Sequence, residues 1–160
     1  MRISLFAVGK LKSGPESELV KRYLDRFAKA GPAIGLEFSK VTEVSESRAS
    51  NVKERKLDEA QLLEKAIPSN AKLIILDEQG TAISSEQFST LLADLRDNGE
   101  RDVIFAIGGA DGHDETSRRK AYKMLSFGKM TWPHQMARFM LSEQLYRSVT
   151  ILSGHPYHRV

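Results

Sequence analysis

A chain of 160 residues is long enough to bury a core and short enough to be one domain. With 24 Lys and Arg against 21 Asp and Glu it carries a net charge of +3, and a hydrophobic share of 41% beside 28% charged residues excludes disordered and fibrous classes. The absence of cysteine excludes disulfides, a thiol nucleophile and thiolate zinc sites.

No apolar run approaches the roughly 20 residues of a membrane span. The opening "MRISLFAVGK" is too short in its apolar part for a secretory signal, so a cytoplasmic protein with no membrane partner is expected. A pI of about 9.2 steers encounter toward polyanions such as RNA without creating affinity.

Short β-prone runs alternate with amphipathic stretches, which predicts an α/β domain with a largely parallel sheet. "ISLFAV" opens as a strand. Leu19, Val20, Tyr23, Leu24 and Phe27 repeat at helical spacing until Gly31-Pro32 ends the helix. "IGLEFSKV" alternates as a strand. The polar "SESRASNVKERK" leads into a helix through Leu57, Leu62 and Leu63, closed by Pro68, with its charges read as a solvated face.

"KLIILDEQG" is the continuous apolar run of a strand covered on both faces, stopped by Gly80. Ser84 and Gln87 form a capping box for a helix lined by Phe88, Leu91, Leu92 and Leu95. "DVIFAIGGADG" repeats the design, a buried strand running into glycines. A helix from about Asp114, a short strand near "KMLSFGKM" and a last helix starting at Pro133 complete the domain.

Ligands of open α/β sheets sit outside the carboxyl ends of the strands. "LDEQG", "IGGADG" and "LSFGKMTWPHQ" converge there, each ending a strand in glycine or polar loop that lets backbone groups approach a ligand. The alternative is that Gly108, Gly109 and Gly112 merely make tight turns. No Walker lysine follows "GGADG" and no G-x-G-x-x-G follows the first strand, which argues against phosphate-anchored ATP or NAD. A ligand held by backbone contacts, with an adenine against apolar groups such as Leu76 and Met130, suits these loops better.

The tail "HPYHR" has three readings. His155 and His158 could share a metal, but Pro156 opposes a helix and no acid or cysteine completes the set, so no metal is expected. A solvated stub is the second. The third is a nucleobase grip in which Tyr157 stacks, histidine donates or accepts, and Arg159 clamps phosphate or carbonyl oxygens.

The combination of "LDEQG", "IFAIGGADG", "LSFGKMTWPHQMARFMLSEQLYRS" and a terminal "HPYHR" resembles the RlmH family, small SPOUT-class methyltransferases that modify a pseudouridine of bacterial large-subunit ribosomal RNA. The likeness is most specific in the C-terminal third. It implies an α/β trefoil knot, S-adenosylmethionine as methyl donor, N3 of a pseudouridine in 23S ribosomal RNA as acceptor, the assembled ribosome as substrate, and a homodimer with the pocket at its interface. Carried over by position, the donor contacts are Leu76, Gly108, Phe127, Gly128, Lys129, Met130, Thr131 and Trp132. His155, Tyr157, His158 and Arg159 fall on the tail expected over the acceptor.

Methyl transfer from a sulfonium requires an in-line nucleophile, and the imide N3–H must lose its proton. His155, then His158, is preferred as the general base, with water or hydroxide as rival. Arg159 or Arg138 would stabilise charge on the flanking carbonyl oxygens. Arg138 and Arg147 have a structural alternative, since Glu143 stands four residues before Arg147, the spacing of a helix ion pair. Two rival classes remain on sequence, a non-enzymatic ribosome-associated protein and an α/β enzyme acting on a small nucleotide.

Overall fold

The computed structural model describes residues 1–158; Arg159, assigned above to the tail's substrate contacts, lies outside the described residues. The elements follow the expected order: β1 (Arg2–Val8), α1 (Pro15–Ala30), a 3₁₀ turn (Gly31–Ile34), β2 (Glu37–Val44), α2 (Val52–Ala66), β3 (Lys72–Ala82), α3 (Ser85–Asp97), β4 (Asp102–Ile107), α4 (Glu115–Lys120), β5 (Lys123–Ser126) and α5 (His134–Leu152). The strands form one sheet in the order β2-β1-β4-β3-β5, and every pairing is parallel. The central strands are nearly continuous apolar runs because helices cover both faces.

Alternation along each strand divides the core in two. Ile3, Leu5, Ala7, Phe105 and Ile74 pack against Val20, Leu24 and Phe27 of α1, Phe88, Leu92 and Leu95 of α3, and Leu141, Leu145 and Val149 of α5. Phe6, Val8, Ile75, Ile104 and Ala106 point the other way, toward Leu63 of α2. Caps set the helix starts: Asn51 accepts from Glu54 N–H, the Ser84–Gln87 capping box forms as expected, and Asp114 accepts from Thr116 and Ser117. Pro133 is the residue before α5 rather than its first turn, a shift of one position.

One expectation fails instructively. Gly80 does not stop β3, which runs on to Ala82. The pairing with β5 breaks after Leu76 and resumes at Thr81, so that Leu125 is matched with both Leu76 and Thr81. Residues 77–80 therefore arch around β5. A Cβ on Gly80 would stand 2.5 Å from the carbonyl carbon of Leu125 and 2.7 Å from its nitrogen, contacts that backbone atoms cannot relieve by a rotamer change. Glycine is there because another stretch of backbone passes against it.

Candidate functional site

The carboxyl ends of β3, β4 and β5 open into one cavity of about 240 Å³. Leu76, Gly108, Phe127, Gly128, Met130, Thr131 and Trp132 all line it, as does the rest of the glycine loop from Gly109 to Gly112; Lys129, expected among them, is exposed and does not. Met130 is 72% exposed at the rim, so the cavity is bordered by apolar surface as well as loop backbone.

Sequence reasoning missed several lining residues: Asp77, Asp111, Arg118 and His134. Asp77 is buried, taking the Arg118 Nε–H at 2.9 Å on one oxygen and the Gln79 N–H at 2.9 Å on the other. That carboxylate ties the arch over β5 to α4. Asp111 is held by Arg55 of α2, Nε to Oδ2 at 2.6 Å and Nη2 to Oδ1 at 3.2 Å, so the charges of that helix are not all a solvated face. The acids of "LDEQG" and "GGADG" were visible as residue types. Their partners, far along the chain, were not.

At Gly108 the space for a side chain lies behind the loop. A Cβ there would lie 3.1 Å from His113 Nε2 and 3.2 Å from the Gly112 carbonyl carbon, so a side chain presses beneath the loop instead of into the cavity. His113 is buried, is hydrogen-bonded to the backbone of Ala106, and leaves Nε2 with no partner among the described residues. Burial pushes its pKa down to about 4.

That depression has a thermodynamic consequence. The unfolded imidazole titrates near 6.5 and the folded one near 4, so the unfolded state takes up the proton first. The contribution is present above pH about 6.5 and is lost as pH falls toward 4, on the order of 3 kcal/mol in full. Denaturant melts across pH 4–7 should show this slope in the parent and lose it in His113→Gln; the comparison separates the imidazole from Glu59, whose raised pKa works in the opposite sense. An unchanged slope would remove His113 from the account.

Residues 155–158 lie outside the cavity, and the side chains of Tyr157 and His158 are docked on the protein. Tyr157 packs edge-on against Tyr146 at 5.1 Å, lies beneath the Arg147 guanidinium at 5.0 Å, and donates its hydroxyl proton to Glu143 at 3.0 Å. Burial first, then Tyr23 and Glu143, pushes the phenol up. Arg147 pairs with Glu143 as the i,i+4 spacing predicts. A guanidinium can only donate, so His158 accepts from Arg147 at Nδ1 (3.2 Å) and presents Nε2–H to Glu86 at 2.7 Å. Ser84, the backbone N–H of Glu86 itself and His158 hold the Glu86 carboxyl down to about 2. His155 is exposed, with Nδ1 accepting the Tyr157 N–H at 3.2 Å.

Tyr157 borders a second, larger groove of about 630 Å³ together with Tyr23, Ile83, Phe88, Phe139 and Met140. This groove and the glycine-loop cavity share Leu76 and residues 125–128 as a common wall. His155, Tyr157 and His158 thus line no part of the first cavity.

Arg138 is corrected outright. It is 2% exposed, paired with Glu43 and donating to the Gly9 carbonyl at 2.8 Å. A guanidinium so enclosed belongs to the scaffold between α5 and the β1–β2 edge and offers nothing to RNA. Among the described residues no three His, Asp or Glu side chains group to hold a metal ion. No described helix is long and apolar enough to cross a membrane.

A parallel sheet whose third strand arches around its fifth, with a cavity at the resulting strand ends, defines a class, and the family described as "Predicted SPOUT methyltransferase" matches residues 1–158: the chain belongs to the SPOUT methyltransferases. Within them it stands with proteins named ribosomal RNA large subunit methyltransferase H. It is 61% identical over 160 residues to that of Agrobacterium fabrum and 62% identical over 160 residues to that of Rhizobium rhizogenes, covering 100% of both chains in each case. With the protein of the same name from Rhizobium meliloti it shares 60% over 159 residues, 99% of both chains. A solved structure of ribosomal RNA small subunit methyltransferase E from Neisseria gonorrhoeae, bound to S-adenosyl methionine, aligns with a TM-score of 0.47 at 13% identity, over 95% of this chain and 66% of that one.

Proposed function

We propose that the glycine-loop cavity binds S-adenosylmethionine and that the protein methylates N3 of a pseudouridine in 23S ribosomal RNA, on the assembled ribosome, as a cytoplasmic homodimer. The observation that carries this reading is the convergence of Leu76, Gly108 and Phe127 with Met130, Thr131 and Trp132 on one cavity, in a chain whose relatives are named for methylating large-subunit RNA. The lining suits the donor: glycine backbone for close approach, and Leu76, Met130 and Trp132 for an adenine. When bound, S-adenosylmethionine supplies a methyl group on a positively charged sulfur, a leaving group that departs with the bonding electron pair.

The chain's own groups do the rest. Loop backbone orients the donor so that N3 approaches opposite the departing sulfur. His155, whose exposed ring is less engaged than that of His158, takes the N3 proton, with His158, water or hydroxide as alternatives. Arg159 steadies the charge on the flanking carbonyl oxygens, and Tyr157 and His158 complete the RNA grip. A tail walled off from the cavity in its own protomer favours a second copy that brings tail and donor together, and the groove at Phe139 and Met140 offers apolar surface for it. The dimer predicts a solution mass twice the 17.9 kDa of the chain.

Donor binding tests the reading. A valine at position 108 crowds His113 and Gly112 from below and shifts the loop, so Gly108→Val should weaken S-adenosylmethionine binding at least about tenfold, roughly 1.4 kcal/mol, with secondary structure retained. Calorimetry showing parental affinity in the variant would move the donor elsewhere.

A further inference from the structure

The glycine loop is held from behind by a helix that lines none of the donor cavity. Glu59 of α2 is 8% exposed; its carboxylate faces the Gly109 backbone from below the loop and accepts the Ser47 N–H at 3.3 Å from the segment before the helix. The fit is close: a Cβ on Gly109 would lie 2.7 Å from Glu59 Oε2 and 2.8 Å from Oε1. One turn earlier on the same face, Arg55 grips Asp111 with two hydrogen bonds and donates to the Ala49 carbonyl at 3.2 Å. Gly109 and Asp111 both face the cavity, so α2 fastens the loop at two points.

A carboxylate this buried is costly to keep and has no partner cation among its described hydrogen bonds. Burial accordingly raises its pKa, opposed by the two backbone N–H groups. The core did not require an acid at this place. What the acid does is supply acceptors to a loop of Gly, Gly, Ala, Asp and Gly that has few side chains with which to anchor itself. An unanchored loop would lose its conformational freedom when the donor binds, and that loss would be subtracted from affinity.

We infer that Glu59 is a positioning residue for the methyl donor, pre-ordering the glycine loop through Gly109, with Arg55 doing the same through Asp111. This rests on the donor reading of the cavity. Because Glu59 acts on the loop and not on the reacting atoms, its removal should change the donor's KM and leave turnover at saturating donor alone.

The experiment is steady-state methyl transfer to ribosomes by full-length protein, varying S-adenosylmethionine and ribosomes separately. Glu59→Ala should raise the donor KM about tenfold, with kcat and the KM for ribosomes within twofold of the parent. Glu59→Gln, which keeps an acceptor oxygen, should restore most of the loss. Arg55→Met should raise the donor KM severalfold in the same pattern and serves if Glu59→Ala fails to fold. Parental donor KM in Glu59→Ala, or equal losses in the Ala and Gln variants, overturns the inference while leaving the donor reading intact. A parent protein whose methyl transfer does not depend on S-adenosylmethionine overturns both.

Discussion

Replacing Gly80 with alanine is expected to cost the protein its fold. The added methyl would sit 2.5 to 2.7 Å from three backbone atoms of Leu125, and the strands have little room to yield, because Leu125 is paired with both Leu76 and Thr81. Over-packing of an ordinary core costs about 1–3 kcal/mol since side chains shift to relieve it. Here the opposing atoms are main chain, and about 3 kcal/mol or more is expected, a large part of the stability of a domain this size. Gly99→Ala makes the opposite comparison: nothing lies within 4 Å of its Cβ, so its cost, about 1 kcal/mol, comes from the positive φ of 80° alone, a strain Gly80 does not carry. Urea unfolding that placed Gly80→Ala within about 1 kcal/mol of the parent would mean that β3 does not enclose β5 as described.

Deleting residues 154–160 should have the opposite profile, an intact fold without activity. The deleted segment contributes the Tyr157 hydroxyl contacts and the His158–Glu86 pair, all at or near the surface, while the cavity at the strand ends is built without it. Donor affinity should stay within about twofold. Methyl transfer to ribosomes should fall by at least about a hundredfold, since the proposed base and the proposed RNA grip are removed together. Point changes divide that loss: His155→Ala should lower turnover more than affinity, and Tyr157→Ala should weaken RNA binding by about 1–3 kcal/mol if the ring leaves Tyr146 to stack on a base. Parental transfer after the deletion would return the tail to a surface ornament.

The contrast between these two experiments follows what could be read from the residues. The buried strands β1, β3 and β4 announce themselves as apolar runs, α3 by its capping box, and the strand-end site by glycines after "DVIFAI" and acids after "KLIIL", because each signal is local. The arch at Gly80 is not local. A glycine after a strand is read as a stop, and only the passage of Leu125 against it, 45 positions later in the chain, makes it a crossing. Distance along the chain also hid the fate of Arg138, since Glu43 is separated from it by 95 positions. The same holds for α2, whose charges look solvated in a linear string until Arg55 meets Asp111 and Glu59 meets Gly109. Tyr157 was visible in the tail as a residue type, but its docking on Tyr146 and Arg147 depends on the curl of residues 153–157, which no periodicity records.

The measurement closest to the central claim is the position of the transferred methyl. Ribosomes lacking the modification are incubated with full-length protein and isotope-labelled S-adenosylmethionine, and the large-subunit RNA is digested and mapped by mass spectrometry. The account predicts a single label, on the base of one pseudouridine and at N3, dependent on the donor and absent with the 154–160 deletion. Label on a ribose, on the small-subunit RNA, or on no RNA at all while the protein still binds the donor would contradict it.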